Sequence, residues 1–325
     1  MKVFLTGATG YLGSKLLSHL LATDHEVIAL YRKDKLDLEQ PGLTWVQGSL
    51  EHTTAIEPLL QGVDTVYHTA ALAAMWHKKR STFYDVSVRA TENLLQASKQ
   101  QEVKNFVFTS SAVVLSYSIK SAIKEDDPLI EPLIEDYAVT KSMAEQAVMS
   151  ASTANFKTVV VNPPRIYGPS SRGFNAVNNL VRNYLNNRFY FMPGNGSYIG
   201  NYAYIDDVVL GHILARNKGQ SGHRYIVGGE NHTYVSLFNL LQEITGKKRT
   251  AVKLPYRIMR WVAGFEESKA QLTGLAPWVT SHMVDKLFSN RALSSEKAVS
   301  HFNYTITPLK EGLERTISHI KHSSL

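Results

Sequence analysis

Cysteine is absent from this sequence of 325 residues, which excludes disulfide bonds, a cysteine nucleophile and thiolate metal ligands. The chain also lacks any run of the roughly 18 apolar residues that a membrane-spanning helix needs, so no membrane span is expected. Its 12 histidines show neither an H-E-x-x-H pattern nor close ligand spacing, and we expect no metal site. His68 lies in an apolar stretch and is expected to be a hydrogen-bonded core residue. The lack of cysteine fits a reducing compartment, and we therefore expect a cytoplasmic protein.

Charge is sparse as well, and only mildly unbalanced. Charged residues make up 19% of the chain, and 35 Lys+Arg against 28 Asp+Glu leave a formal net charge of +7. The longest basic runs, residues 78–80 and 247–249, lack the aromatic and glycine pattern of an RNA-binding sheet, so nucleic acid is not an expected partner. We interpret the positive charge as a surface suited to small anionic ligands. The 44% hydrophobic content is typical of a globular protein and excludes a disordered, collagenous or coiled-coil chain.

Short apolar runs alternate with helical patterns over the first half of the chain. Residues 11–22 carry leucines at positions 12, 16, 17, 20 and 21, the spacing of one helix face. The predicted strands are residues 2–6, 26–31, 43–47, 64–69, 105–110 and 157–161, and further helices are predicted at 82–101 and 137–150. Strands that are apolar on both faces and alternate with helices indicate an α/β fold with a doubly wound parallel sheet of the Rossmann type.

The pattern loosens after the pair Pro163-Pro164. Helices are predicted at about 175–187, 206–217, 234–246, 255–271, 294–300 and 308–321, with only short strands between them. We expect a dinucleotide-binding domain over residues 1–163. The remaining residues, 164–325, are expected to form a smaller, mostly helical substrate-binding cap that is interleaved with the first domain.

A glycine-rich turn joins the first strand to the first helix. In Thr6-Gly7-Ala8-Thr9-Gly10-Tyr11-Leu12-Gly13, the first glycine permits a tight turn and the second lets the backbone approach a pyrophosphate. Gly13 allows close packing of the helix on the strand, and the N–H groups at the start of the helix favour an anion. This strand–turn–helix context predicts a dinucleotide site.

The end of the second strand predicts the choice of cofactor. An acidic residue there would bind the ribose hydroxyls of NAD, but the strand ends in Tyr31-Arg32-Lys33 and no carboxylate precedes Asp34. Arg32 can pair with a 2′-phosphate instead. We therefore expect NADP(H) as the cofactor, with NAD less favoured.

Tyr137 and Lys141 stand four residues apart on a predicted helix, so both face the same way. A nearby ammonium lowers the pKa of a tyrosine, whose reference value is about 10, and thus favours proton transfer. The same spacing occurs at Tyr11 and at Tyr31, but only Tyr137 follows the fifth strand, which ends in hydroxyl residues that include Ser111. Ligands bind at that edge of an open α/β sheet, which favours this pair as catalytic.

Together these residues resemble the extended branch of the short-chain dehydrogenase/reductase superfamily, the NAD-dependent epimerase/dehydratase family. The motifs that carry the resemblance are Thr6-Gly7-Ala8-Thr9-Gly10-Tyr11-Leu12-Gly13, Val66-Tyr67-His68-Thr69-Ala70-Ala71, Ser110-Ser111-Ala112, Tyr137-x-x-x-Lys141, Asn162-Pro163-Pro164-Arg165-Ile166-Tyr167-Gly168-Pro169 and Tyr204-Ile205-Asp206-Asp207-Val208. They span almost the whole chain. Trp76, Asn162-Pro163 and Thr273-Gly274-Leu275-Ala276-Pro277 are most similar to the dihydroflavonol 4-reductase-like group.

The resemblance implies a catalytic set of Ser111, Tyr137 and Lys141, with Lys141 also holding the nicotinamide ribose. The predicted cofactor-binding residues are Gly7, Thr9, Gly10, Tyr11, Leu12, Gly13, Arg32, Leu50, Ala70, Tyr137, Lys141 and Pro164. The resemblance also implies a homodimer, because the helices predicted at 82–101 and 137–150 correspond to two that commonly pair with their copies in this superfamily.

The chain departs from the sugar-nucleotide enzymes of the family at several positions. Arg165 stands where they usually have asparagine, and Gly200 or Asn201 stands where they have an arginine. The Thr-Asp-Glu of the dehydratases is replaced by residues 111–113. These departures disfavour sugar dehydration. They also leave incomplete the set of residues with which an epimerase binds the diphosphate of its substrate.

The leading hypothesis is an NADP(H)-dependent oxidoreductase that reduces a ketone or aldehyde to an alcohol, with Tyr137 as the general acid. An alternative is a sugar-nucleotide epimerase that retains NAD(P) and needs no net cofactor turnover. A non-catalytic dinucleotide sensor is a third possibility, but it would not need Ser111, Tyr137 and Lys141 together. The sequence does not identify the small-molecule substrate.

Overall fold

Seven strands form one parallel sheet in the computed structural model, which describes residues 1–74, 76–118, 121–170, 175–187 and 191–322. Counting two smaller sheets as well, the strands of the described residues are β1 (Lys2–Thr6), β2 (Glu26–Tyr31), β3 (Leu43–Gln47), β4 (Thr65–His68), β5 (Asn105–Thr109), β6 (Lys157–Asn162), β7 (Arg165–Tyr167), β8 (Phe191–Pro193), β9 (Ile199–Tyr204), β10 (His223–Ile226), β11 (Glu230–Thr233) and β12 (Val252–Leu254). The helices are α1 (Tyr11–Ala22), α2 (Thr53–Ile56), α3 (Ser81–Tyr84), α4 (Ala90–Gln100), α5 (Asp136–Ser150), α6 (Ala176–Leu185), α7 (Ile205–Lys218), α8 (Tyr234–Thr245), α9 (Tyr256–Thr273), α10 (Ser281–Leu287), α11 (Glu296–Phe302) and α12 (Leu309–His322). None of these helices combines the length and apolarity needed to cross a membrane.

The strand order of the large sheet places a ligand crevice at the end of β1. The order is β10-β6-β5-β4-β1-β2-β3, and every neighbouring pair runs parallel. Because β1 lies between β2 and β4, the chain winds away from it in both directions, and open α/β sheets bind ligands at such a reversal. The predicted doubly wound Rossmann sheet is confirmed. The seventh strand, β10, was not among the predicted strands.

Both faces of the sheet are covered, which explains why its strands are apolar throughout. Successive side chains of a strand point to opposite faces. Val3 and Leu5 pack in the core beneath α1 and α7, whereas Phe4 packs in the opposite core beneath α4 and α5. The five leucines predicted as the buried face of the first helix are buried in α1.

The predicted helix over 82–101 is interrupted. A π-helical segment, Asp85–Arg89, joins α3 to α4 and buries Ser87. A π turn inserts one extra residue into a helix, and the 3.6-residue spacing used for the prediction does not test for such an insertion.

The C-terminal region is mostly helical, as predicted, but it contains more short strands and one more helix. Helices α6, α8 and α12 pack with the three-stranded sheet β11-β9-β7 around Tyr167. Strands β8 and β12 pair beside α9 and α10, and α10 was not predicted. Beyond residue 163 the chain also returns to the large sheet, through β10 and through Val208 of α7 and Phe302 of α11.

Candidate active site

The glycine loop after β1 is closed to side chains at two positions. Gly7 has a φ of +74°, and a Cβ built on it would lie 2.6 Å from the Ala70 nitrogen. A Cβ on Gly13 would lie 2.0 Å from the carbonyl oxygen of Gly7. Both contacts are far inside van der Waals range, so the tight turn and the close helix packing expected of these glycines require glycine here. Gly10 precedes α1 and has no side chain to occupy the N–H groups of the first turn.

Hydrogen bonds fix this loop against the end of β4. The Thr69 hydroxyl donates to the carbonyl of Thr6 at 2.7 Å, and the Ala70 N–H donates to the Thr6 hydroxyl at 3.2 Å. His68 is fully enclosed between the hydroxyls of Thr6 (2.7 Å) and Thr91 (3.0 Å). Burial lowers the pKa of His68 to about 3, with a further lowering from Lys141, so the ring is neutral at physiological pH. The expected core role of His68 is confirmed.

Three further predicted cofactor residues lie in or directly after the loop, and a fourth, Leu50, follows β3. Leu12 is buried on α1, and Thr9 lies within the loop itself. The carbonyl of Leu50, which follows β3, accepts a hydrogen bond from Asn93 at 2.9 Å. Tyr11 donates its hydroxyl proton to the carbonyl of Gly168 at 2.9 Å and thereby ties the loop to the C-terminal region.

Arg32 lies at the end of β2 with its side chain exposed. Its carbonyl accepts a hydrogen bond from Gln47, which fixes the backbone, but within the described ranges its guanidinium makes no ion pair. The neighbouring Lys35 is paired with Glu39 at 3.0 Å. Among the described residues, Arg32 is therefore an exposed cation without an ion-pair partner at the end of β2.

Ser111 is held in place by the ends of β5 and β6. Its side chain accepts a hydrogen bond from the Val113 N–H at 3.3 Å, which starts a 3₁₀ turn. Its carbonyl accepts from the Asn162 amide at 3.3 Å, and the next N–H, that of Ala112, donates to Pro163 at 3.0 Å. These bonds position the hydroxyl at the carboxyl edge of the sheet.

Tyr137 lies in the first turn of α5 and lines the same cavity as Ser111, whose side chain influences its pKa. Burial raises the pKa of Tyr137, and the hydrogen bond with Ser111 opposes this rise only in part. The phenol is therefore un-ionised at neutral pH and carries a proton.

Lys141 is buried one turn further along α5, and its ammonium is directed at the backbone. Its Nζ donates to the Thr109 carbonyl at 2.6 Å and lies 4.2 Å from the centre of the Phe108 ring. Burial lowers the pKa of Lys141 to about 7, while the charge of Glu145 acts in the opposite direction. The expected lowering of the Tyr137 pKa by Lys141 is thus not what the structure shows, because the ammonium contacts Thr109 and burial dominates the tyrosine.

Glu145 lies one turn beyond Lys141 on the face of α5 that carries Tyr137, and the sequence analysis did not predict it. This buried carboxylate accepts hydrogen bonds from Asn162 at 2.8 Å and from Arg224 at 2.9 Å. Because Asn162 also holds the carbonyl of Ser111, the network joins β6, α5 and the serine loop. The i, i+4, i+8 spacing from Tyr137 through Lys141 was visible, but the partners of Glu145 lie in distant strands.

A cavity of about 430 Å³ brings together four of the thirteen predicted site residues, and the buried Lys141 is not among those that line it. Ser111, Tyr137, Tyr11 and Pro164 line it. Three cations, Arg165, Lys286 and Arg291, also line it and were not predicted as site residues. A second cavity of about 630 Å³ shares Val113, Lys286 and Arg291 with the first. Tyr31, which has the same spacing to a lysine as Tyr137, lies outside both cavities and packs edge-on against Trp45.

Comparisons with known proteins show which family and fold this chain resembles. A model of the NAD-dependent epimerase/dehydratase family matches residues 3–228. Sterol demethylase protein B of Methylococcus capsulatus is 31% identical over 268 residues, which cover 81% of this chain and 80% of that protein. A 2-alkyl-3-oxoalkanoate reductase of Stenotrophomonas maltophilia is 28% identical over 327 residues, with 97% and 98% covered. The crystal structure of gox2253 superposes with a TM-score of 0.80 at 26% identity, covering 99% of this chain and 98% of that one.

Proposed function

The chain belongs to the NAD-dependent epimerase/dehydratase family of short-chain dehydrogenase/reductase oxidoreductases, and we propose that it reduces a ketone or aldehyde to an alcohol with NADPH. The observation that carries this proposal is the pair of hydroxyls, Ser111 and Tyr137, in a cavity bordered by the glycine loop residue Tyr11. A raised tyrosine pKa suits reduction, because the acid must hold its proton until the carbonyl oxygen takes it.

The residues present fit a nicotinamide dinucleotide. A Cβ at Gly7 or Gly13 would collide with backbone, so the loop leaves its N–H groups and the α1 terminus for a pyrophosphate. Arg32 would hold the 2′-phosphate, and Lys141 would hold the nicotinamide ribose. When bound, the reduced nicotinamide supplies the hydride.

The protein supplies the proton and the polar surroundings of the reacting oxygen. Tyr137 donates its proton to the carbonyl oxygen as the carbon gains the hydride, so one hydride and one proton give the alcohol. Ser111 donates a hydrogen bond to the same oxygen, where negative charge develops. Asn162, which is bonded to Glu145, positions Ser111 through its carbonyl, and neither Asn162 nor Glu145 lines the cavity.

A screen of carbonyl compounds tests this function directly. The screen follows NADPH absorbance at a fixed protein concentration, with NADH in parallel. Because one relative is a 2-alkyl-3-oxoalkanoate reductase, 3-oxo acids and their esters belong in the panel. Steady NADPH oxidation with formation of an alcohol is expected. Conversion of a sugar nucleotide without net cofactor turnover would instead assign the chain to the epimerases.

Arg32→Ala should cost roughly tenfold or more in affinity for NADPH and should leave NADH nearly unaffected. A hydrogen bond to a charged group contributes about 1.5–3 kcal/mol, and the Arg32 guanidinium is exposed at the place where only NADPH has a phosphate. Fluorescence titration of both cofactors measures the two constants. Equal affinities of the parent for NADH and NADPH would contradict the assignment of Arg32.

We also propose a homodimer formed through α4 and α5, which lie side by side on one face of the sheet. Met143 of α5 is 41% exposed there. Sedimentation at micromolar concentration should show twice the 36.3 kDa of the chain, and Met143→Glu should shift it toward monomer. Leu272→Glu, on the exposed side of α9, is the matched control. A parent that sediments only at 36.3 kDa contradicts this assembly.

A further inference from the structure

Two arginines face the catalytic cavity without an acidic partner. Arg165 and Arg291 both line the cavity that holds Tyr137, and none of its described lining residues is a carboxylate. In the described part of the chain neither arginine forms an ion pair, whereas the third cation, Lys286, is paired with Glu135. Burial lowers the pKa of Arg291 to about 10, and the nearby charge of Arg165 lowers it further.

The placement of Arg165 depends on Gly200. The Arg165 guanidinium lies 5.6 Å from the ring of Tyr202 and 5.4 Å from that of Tyr234. A Cβ built on Gly200 would lie 1.8 Å from Nη1 of Arg165, so any side chain at residue 200 would displace this guanidinium. The glycine and the arginine, 35 residues apart in the chain, therefore act as a matched pair.

The backbone of Arg291 is held by a hydrogen bond, whereas its guanidinium makes few hydrogen bonds to the described residues. Its N–H donates to the carbonyl of Ile199 at 2.9 Å, which attaches it to β9, next to Gly200. Within the part of the chain that the structure describes, its Nη1 makes only a long contact of 3.5 Å to the Ala112 carbonyl, and its buried Nε has no hydrogen-bond partner. The nearby Arg165 guanidinium has a long bond, from its Nη1 to the Tyr202 hydroxyl at 3.4 Å. A buried donor without a partner, next to a second cation, destabilises the fold, and an anion bound between the two arginines would offset this cost.

We propose that Arg165 and Arg291 bind a carboxylate of the substrate, so that the protein reduces oxo acids. This assignment rests on the proposed reductase function and names its substrate class. Planar guanidinium groups match the two oxygens of a carboxylate.

The second cavity would hold the rest of the substrate. It opens beside Arg291 and is lined by Leu129, Leu133, Ile134 and Phe288, which suit an apolar chain. It also contains Glu131, whose charge opposes a diphosphate, and Asp285, which is paired with Arg260 at 3.3 Å. The substrate therefore carries one carboxylate near its carbonyl and an apolar tail.

The test compares an acid with its neutral ester. For 3-oxodecanoate and methyl 3-oxodecanoate, the parent should show a higher kcat/KM on the acid, and Arg291→Gln should lower the acid-to-ester ratio by roughly 10–100-fold. Gly200→Ala should lower the same ratio, because it displaces Arg165 while keeping every charge. Arg182→Gln, an exposed arginine of α6, is the control and should leave the ratio unchanged. A ratio that stays at the parent value in Arg291→Gln and in Gly200→Ala overturns the proposal.

Calorimetric binding of unreactive ligands separates this inference from the reductase function. Decanoate should bind the parent more tightly than 1-decanol does, and Arg291→Gln should remove this difference. Binding of decanoate by a parent that reduces no carbonyl compound would support the anion site while the reductase function failed. Equal binding of decanoate and 1-decanol, or tighter binding of UDP-glucose than of decanoate, overturns the carboxylate site.

Discussion

Tyr137→Phe should lower the rate of hydride transfer by about 10²–10⁴-fold, the usual contribution of a positioned general acid. The substitution removes one hydroxyl and keeps the ring that fills the cavity wall next to Ser111. Cofactor affinity should stay close to that of the parent, because the glycine loop is untouched. Single-turnover reduction of a substrate found in the screen, followed by NADPH absorbance, measures the chemical step without product release.

Two other tyrosines serve as controls for this prediction. Tyr31 has a lysine four residues later, as Tyr137 does, but it lies on β2 and packs against Trp45. Tyr31→Phe should leave the rate unchanged. Tyr11→Phe removes the hydrogen bond to Gly168 and should cost less than Tyr137→Phe. A near-parent rate in Tyr137→Phe, with a large loss in Tyr11→Phe, would mean that the acid is assigned to the wrong tyrosine.

Lys141→Met should weaken NADPH binding by roughly 10–100-fold and slow hydride transfer as well. The ammonium is buried, and its hydrogen bond goes to the carbonyl of Thr109 rather than to an acid. Methionine has a similar length and no charge to desolvate. The thermal midpoint of Lys141→Met should therefore equal or exceed that of the parent, which separates loss of function from loss of folding.

The same lysine predicts how cofactor binding depends on pH. Burial lowers the pKa of Lys141 to about 7, so the cation is present below that pH and is lost as pH rises. If the charged form binds the cofactor, the Kd for NADPH should rise above pH 7 by up to tenfold per unit. His68 does not titrate in this range, because its pKa is about 3. A flat profile in the parent, or an identical rise in Lys141→Met, would contradict the role given to Lys141.

The first half of the fold could be predicted from the sequence because its signals are local. Strands buried on both faces are apolar throughout, and the glycines of the first turn are required by contacts within the loop and with the adjacent Thr69-Ala70 segment. Tyr137 was distinguished from Tyr11 and Tyr31 by its position after the fifth strand, because all three tyrosines have a lysine four residues later. The Tyr-to-Lys spacing alone does not identify the acid, since Tyr11 has the same spacing and also lines the cavity that contains Ser111 and Tyr137.

The features that were missed depend on contacts between distant parts of the chain. Strand β10 has four residues, and it becomes a seventh sheet strand only by pairing with β6, more than 60 residues earlier. Gly200 looked like the loss of a family arginine, but it makes room for Arg165. Arg291 reaches the cavity through a backbone bond to Ile199, and nothing in its local sequence indicates that contact.

Transfer of deuterium from NADPH labelled at the nicotinamide C4 tests the central claim most directly. The labelled cofactor is incubated with the parent protein and a carbonyl substrate found in the screen, and the product is examined by mass spectrometry. The account predicts one deuterium on the carbinol carbon of the alcohol and one NADP⁺ formed for each alcohol. Product without deuterium, or conversion of substrate with no net formation of NADP⁺, would contradict it.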